Sequence, residues 1–146
     1  MRALTRHITE VFMKVAIVYA STTGNTEALA NAAKEAAEAA GAQVYFSTAD
    51  TADAGELGSA DLIALGSPAM GAEQLEDSME GFYTSVEGSL SGKNVVLFGS
   101  YDWGGGAFMD DWESRVSGAG ATVKGCVKAQ LTPDDAALAE IKALMK

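Results

Sequence analysis

The residue types with the clearest chemical use lie together in one short segment, Ser21-Thr22-Thr23-Gly24-Asn25-Thr26. Hydroxyl groups and an amide surround a single glycine, and no lysine or arginine lies among them. Hydroxyl donors, backbone N–H groups and the start of a following helix all attract an anion, and glycine lets the backbone approach it closely. The segment predicts a phosphate site built from neutral donors, although an ordinary Ser/Thr-rich helix cap would use the same residue types.

Other phosphate-handling loops do not fit the sequence. The stretch 88–94 has a glycine and a Gly-Lys pair, but it is one residue too short for a Walker loop and ends in asparagine. No G-x-G-x-x-G segment follows a candidate strand. A cysteine phosphatase would place an arginine six residues after Cys126, where Thr132 stands, and a response regulator would place carboxylates at Ala20 and Ser21. These four classes are therefore excluded.

Two further loops are rich in glycine, at 66–73 and 99–106. Each displays one large side chain, Met70 in the first and Trp103 in the second. Methionine is a common filler of protein cores, so Met70 alone says little. A tryptophan among glycines has few local neighbours to pack against, and a flat aromatic ligand is a natural partner for it.

Apolar, β-branched stretches alternate with helical ones along the whole chain. Strands are predicted at 15–19, 43–47, 61–66, 94–99 and 121–127. Helices are predicted at 25–40, 75–86, 106–117 and 133–146. Ser67 and Pro68 are expected to end the third strand, Thr132 to cap the last helix, and Phe108 and Trp112 to lie in the core.

This alternation implies right-handed crossovers and a parallel sheet with helices on both faces. Five strands make a small doubly wound domain. In such domains ligands bind outside the carboxyl ends of the strands, where the strand order reverses. The loops that follow strands one, three and four should therefore meet in one site.

Composition narrows the classes of function. The chain has 146 residues, a formal charge of -10, one cysteine and one histidine, His7. The negative charge disfavours nucleic acid and anionic membranes, and it favours basic protein partners. Catalytic triads and zinc sites that depend on histidine have no residue to use in the body of the chain, and no metal site is expected. We expect a cytoplasmic protein, because no signal peptide or membrane-spanning stretch is recognisable.

Taken together, the segments S-T-T-G-N-T, G-S-P-A-M-G-A-E and G-S-Y-D-W-G-G-G resemble the short-chain flavodoxins of anaerobic bacteria. The resemblance runs from Met13 to the C-terminus, so residues 13–146 are interpreted as a flavodoxin-like FMN-binding domain. Residues 1–12 are interpreted as an N-terminal extension, either an upstream start or residues that are not native. The family implies an α/β fold with a five-stranded parallel sheet in the order 2-1-3-4-5.

The resemblance also implies which residues contact FMN. The phosphate would be bound by Ser21, Thr22, Thr23, Gly24, Asn25 and Thr26. Met70 and Trp103 would lie against opposite faces of the flavin ring, Glu73 would accept a hydrogen bond from the flavin N3–H, and the Gly71 carbonyl would meet N5–H of the one-electron-reduced ring. The pocket would be completed by Ser67, Pro68, Ala69, Ser100, Tyr101, Asp102 and Gly104.

The function implied is that of a low-potential one-electron carrier, a monomer that docks transiently on redox enzymes through an acidic face. Acidic surroundings without a nearby lysine or arginine would disfavour a negatively charged reduced ring. An FMN-dependent NAD(P)H reductase is the main alternative, but Trp103 would occupy the ring face that a nicotinamide needs. A flavin-storage or regulatory binding module also stays open.

Overall fold

The computed structural model describes residues 13–21, 24–70, 74–102 and 104–145. The strands are β1 (Lys14–Tyr19), β2 (Gln43–Thr48), β3 (Leu62–Met70), β4 (Gln74–Leu75), β5 (Asn94–Tyr101) and β6 (Thr122–Gln130). The helices are α1 (Asn25–Ala39), the single turn α2 (Gly55–Gly58), α3 (Asp77–Val86), α4 (Ala107–Gly118) and α5 (Asp135–Leu144), with a 3-10 turn at Glu87–Ser89. Within these residues no helix has both the length and the apolar character needed to cross a bilayer.

Five of the strands form one parallel sheet in the order β2-β1-β3-β5-β6. Numbered among themselves, these five strands have the order 2-1-3-4-5, so the predicted fold is confirmed. The short strand β4 is an addition: it pairs antiparallel with the end of β3, off the main sheet. Because β1 lies between β2 and β3, the chain leaves β1 on one side and returns on the other. The strand order therefore reverses beside the segment that follows β1.

Consecutive residues of the central strands face opposite layers, as the pleat requires. Val15 and Ile17 pack with α1 and α5, whereas Ala16 and Val18 pack with α3 and α4. All four are fully buried, which explains the continuous apolar run in β1. Phe108 and Trp112 are buried in the second of these layers, as predicted.

The third strand does not end at Gly66, and that prediction was wrong. β3 continues through Ser67 and Pro68 to Met70, because β5 accompanies it as far as Pro68 and β4 pairs with its last residues. β1 pairs with β3 only up to Gly66. Beyond that point β3 has an open edge on the side of β1, and a free edge tolerates a proline without an N–H group.

Two helix starts also differ from prediction. Leu75 belongs to β4, and α3 begins only at Asp77, because the Glu76 carboxylate accepts a hydrogen bond from the N–H of Ser78 at 2.7 Å. The last helix is capped by Asp134 rather than Thr132: Asp134 Oδ1 accepts from the N–H of Ala137 at 2.9 Å. In both cases a carboxylate caps the helix, which the positive helix N-terminus favours.

Candidate cofactor-binding site

A cleft of about 190 Å³ opens at the carboxyl ends of β3 and β5, beside the start of α1. It is lined by Asn25, Pro68, Ala69, Ser100, Tyr101, Asp102 and Leu131. The first six come from the three loops singled out in the sequence, and the fold brings these loops together. Leu131, at the carboxyl end of β6, was not predicted, although its place after the last strand of the sheet was the available signal.

The loop between β1 and α1 is turned by Gly24, which has φ 92°. Its N–H donates to Ser21 Oγ at 3.0 Å, and its carbonyl accepts from the N–H of Ala28 at 3.0 Å, so the first turn of α1 starts directly behind it. Among the described residues no side chain caps this helix. The first N–H groups of α1 are thus left to an external acceptor, which suits a phosphate. Thr22 and Thr23 lie outside the described residues.

The next two residues of this loop are tied to other parts of the site. Thr26 is completely buried, and its Oγ1 lies 2.7 Å from the Oγ of Ser100 at the end of β5. Asn25 is half-buried, and its Oδ1 accepts a hydrogen bond from the Thr132 hydroxyl at 3.4 Å. The start of α1 is therefore held by one side chain at the end of β5 and by another that follows β6.

The loop between β3 and α3 is anchored at both of its ends by Ser67. Its fully buried hydroxyl donates to the Pro68 carbonyl at 2.9 Å and accepts from the N–H of Glu76 at 3.0 Å. The antiparallel pairing of Ala69 with Leu75 adds a second closure. The residues on either side of segment 71–73 are thus joined by a hydrogen bond through Ser67 and by strand pairing.

Several predicted contacts to the flavin ring lie in or beside segments that the structure leaves undescribed. Met70 is the last residue of β3, and 39% of its surface is exposed. An exposed methionine beside a cleft is not the core filler that its residue type most often is. Gly71, Glu73 and Trp103 lie outside the described residues, so their contacts stay predictions.

The loop after β5 is fastened to the end of β6. The Leu131 N–H donates to the Tyr101 carbonyl at 2.7 Å, and the Gln130 side-chain amide donates to the Asp102 carbonyl at 3.0 Å. The Asp102 side chain is exposed at the cleft, and Gly104 is half-buried. The two residues before position 103 are therefore tied to the end of β6 by hydrogen bonds.

A lysine lies close to this loop, contrary to the expectation of a site without nearby cations. Lys128 Nζ is 3.0 Å from Asp110 Oδ1, and this hydrogen bond raises the pKa of the lysine. Its side chain and the Tyr101 ring both crowd Gly106, where an added Cβ would lie 3.0 and 3.1 Å from them. Lys128 was missed because it comes from β6, outside the three loops. It reduces the negative charge contributed by Asp110.

Burial raises the pKa of two side chains that do not line the cleft, Tyr19 and Cys126. Burial, with help from a 2.9 Å hydrogen bond to Glu27, raises the pKa of Tyr19 to about 12. Burial also raises the pKa of the Cys126 thiol to about 11. Both are neutral at physiological pH, and a protonated thiol is a poor nucleophile.

The donor set fits a flavin nucleotide. An uncapped helix start and hydroxyl groups suit its phosphate, and the buried Pro68 and half-buried Ala69 offer backbone and apolar surface for the rest. Cofactor sites combine apolar surface with a few polar groups that fix the ligand, and the residues that line this cleft supply both.

Comparisons with known proteins agree with this geometry. The Flavodoxin family model matches residues 17–143. The chain is 49% identical to a flavodoxin of Megasphaera elsdenii over 123 residues, covering 84% of this chain and 90% of the relative. It is 42% identical to a flavodoxin of Clostridium beijerinckii over 108 residues, covering 73% and 78%. The solution structure of the two-electron-reduced Megasphaera elsdenii flavodoxin superposes with a TM-score of 0.83 at 45% identity, covering 90% of this chain and 97% of that one. The chain belongs to the flavodoxin family, whose members carry electrons on bound FMN.

Proposed function

We propose that this chain is a low-potential one-electron carrier that holds FMN non-covalently in the cleft and converts no substrate of its own. The observation that carries the proposal is the meeting of three loops, distant in sequence, at one cleft lined by Asn25, Pro68, Ala69, Ser100, Tyr101 and Asp102. FMN supplies the redox chemistry, because its ring can take up and release electrons singly.

The phosphate is anchored by the segment from Ser21 to Thr26. Gly24 places the backbone in the left-handed region and exposes the start of α1, and the buried contact between Thr26 and Ser100 fixes that start against the sheet. Such a site binds an anion through neutral donors and the helix dipole. It therefore adds no full positive charge near the cofactor.

The ring would be held by the two other loops. Met70, exposed at the end of β3, would contact one face, and Trp103 would contact the other. Glu73 would accept a hydrogen bond from the flavin N3–H, and the Gly71 carbonyl would face N5. Two hydrogen bonds position these loops. The Ser67 hydroxyl accepts from the N–H of Glu76, and the Gln130 side-chain amide donates to the Asp102 carbonyl.

Local charge keeps the reduction potential low. The Asp102 carboxylate at the rim and the overall charge of -10 both disfavour another negative charge on the cofactor. The positive charge of Lys128 would raise the potential, but the ion pair with Asp110 offsets part of that charge.

The partners are redox enzymes with a basic docking surface. A strongly acidic carrier associates rapidly and transiently with such a surface, and the association weakens as salt is added. We place the protein in the cytoplasm as a monomer, in line with its composition.

The deciding experiment is anaerobic stepwise reduction of the FMN-loaded chain, followed by visible absorption. Two well-separated one-electron steps are expected, together with delivery of electrons to a ferredoxin-dependent enzyme. Rapid reduction of the bound flavin by NAD(P)H alone would instead show a reductase. Tight FMN binding without any electron delivery would show a storage or regulatory module.

A further inference from the structure

The residue Leu131 combines two unfavourable features at the edge of the cleft. Its φ is 56°, which makes it the one non-glycine with a left-handed backbone among residues 13–21, 24–70, 74–102 and 104–145. Half of its surface is exposed, although it is a large apolar side chain. A left-handed leucine is costlier than a glycine or an asparagine at the same position. Strain of this kind persists where the surroundings impose it, and it is often found at ligand sites.

The surroundings that impose this conformation are the other loops of the site. The Leu131 N–H donates to the Tyr101 carbonyl at 2.7 Å, and the preceding residue, Gln130, donates to the Asp102 carbonyl at 3.0 Å. The following residue, Thr132, donates to Asn25 Oδ1 at 3.4 Å. Three consecutive residues, the last of β6 and the two that follow it, are thus hydrogen-bonded to the end of β5, to the residue after it and to the start of α1. The side chain between them is directed by this frame.

The side chain reaches the cleft itself, since Leu131 lines it together with Asn25, Pro68 and Tyr101. Half of the residue's surface is accessible at this cleft. A bound flavin nucleotide would give that surface an apolar neighbour and would remove it from water.

We propose that Leu131 is a positioning residue for FMN, and this inference rests on the proposed function. Its isobutyl group forms the wall of the cleft on the β6 side, packs against the bound cofactor and keeps water from it. The turn after β6 is thus a fourth cofactor-binding loop, in addition to the three recognised in the sequence. The left-handed backbone is what aims an apolar side chain into the cleft at a position where glycine would turn the chain more easily.

The test compares three variants. Leu131→Gly relieves the backbone and removes the side chain, Leu131→Ala keeps the strained backbone and removes most of the side chain, and Leu131→Met keeps both. Met13→Ala is the matched control, because Met13 is 39% exposed and lies at the amino end of β1, whereas the cleft lies at the carboxyl ends of the strands. The measurements are the FMN dissociation rate, the circular dichroism of the bound flavin in the visible range, and the thermal midpoint of each apoprotein.

Release of FMN is expected to be about fivefold faster from Leu131→Gly and Leu131→Ala, as about half of a leucine side chain would lose its contact. Their flavin dichroism should change, Leu131→Met should restore both properties, and Met13→Ala should leave both unchanged. The apoprotein of Leu131→Gly should melt no lower than the original, so that faster release does not reflect a weakened fold.

If the glycine and alanine variants release FMN at the original rate with unchanged dichroism, Leu131 is only a surface turn and the inference is wrong. If the unaltered chain binds no FMN at all, the proposed function itself fails.

Discussion

The hydroxyl groups of Thr26 and Ser100 lie 2.7 Å apart in the interior and join the first turn of α1 to the carboxyl end of β5. Thr26 is fully buried and Ser100 is 4% exposed, so neither hydroxyl can turn to solvent instead. A buried polar group that loses its partner costs about 1–3 kcal/mol. This contact therefore couples the stability of the apoprotein to the geometry of the phosphate loop.

Replacing Thr26 by valine keeps the shape of the side chain and leaves the Ser100 hydroxyl unpaired. We expect the unfolding free energy of the apoprotein to fall by about 1–3 kcal/mol and FMN to bind more weakly. Thr26→Ser keeps the hydroxyl and is the control, with a loss of about 1 kcal/mol or less for its missing methyl group. Urea unfolding followed by far-ultraviolet circular dichroism measures the unfolding free energy of both variants, and FMN titration measures their binding. Equal losses in the two variants would show that the hydroxyl contact has no role.

Gly24 is required for its backbone and not for the space around it. Its φ is 92°, yet an added Cβ would have no atom within 4 Å among the described residues beyond its chain neighbours. Gly24→Ala is expected to destabilise the apoprotein by about 1–2 kcal/mol through backbone strain alone. It should also weaken FMN binding, because a relaxed loop would turn its N–H groups away from the phosphate. Thermal unfolding and FMN titration measure the two effects.

Gly81 supplies the opposite case, as a helical glycine inside α3 whose added Cβ would also have free space. Gly81→Ala is expected to stabilise the apoprotein by about 0.5–1 kcal/mol, since alanine loses less backbone entropy in a helix. FMN binding should stay unchanged. A gain in stability for Gly24→Ala as well would contradict the role assigned to its positive φ.

The parallel sheet and the meeting of the three loops could be predicted because both follow from local signals, whereas the strand order came from the resemblance to the family. Buried strands such as β1 are continuous apolar runs, and a doubly wound sheet must bring the ends of its central strands together. The end of β3 could not be predicted in this way. Whether Pro68 ends a strand depends on which of its edges carries a neighbour, and that is a property of the whole sheet.

Leu131 and Lys128 were missed for a related reason. Nothing in the sequence around Leu131 requires a positive φ: the conformation is imposed by hydrogen bonds to Tyr101 and Asp102, which are about thirty positions away along the chain. Lys128 reaches the β5–α4 loop only because β6 pairs with β5. Contacts between neighbouring strands follow from the register of the pairing, so a reading of separate loops leaves them out.

The pair of Glu80 and Arg115 predicts how stability depends on acidity. The guanidinium donates two hydrogen bonds, at 2.8 and 2.9 Å, and these are the main cause that lowers the pKa of Glu80 from its usual 4.5. A lowered folded pKa contributes stability that is present above pH 4.5 and is lost as pH falls through the folded value. The Glu80 side chain is 45% exposed, so the contribution is limited to about 0.5 kcal/mol.

Glu80→Gln should therefore be slightly less stable than the original chain at pH 7 and should lose less stability as the pH falls below 4.5, the usual pKa of this carboxyl group. Urea midpoints measured across this range test the prediction. Glu140→Gln, an exposed position on α5, controls for the removal of one negative charge. The pairing would be without consequence if both variants followed the same acid profile.

Lys128 should raise the potential of the bound flavin. Its ammonium group is bound to Asp110 at 3.0 Å, and its stem lies beside Gly106 in the β5–α4 loop. Lys128→Gln leaves the Asp110 charge uncompensated, which makes the surroundings of the cofactor more negative. For one charge at roughly 10 Å in a largely aqueous medium, the potential of the step that adds negative charge should fall by about 20–40 mV. The shift should shrink as salt is added.

Potentiometric titration measures this shift, and the double variant Lys128→Gln/Asp110→Asn should recover most of it. The matched control is Lys34→Gln. Lys34 lies on α1, its ammonium group is 5.2 Å from the centre of the Phe46 ring of β2, and its replacement should leave the potential unchanged. An equal shift in both single variants would mean that net charge, and not the position of Lys128, determines the potential.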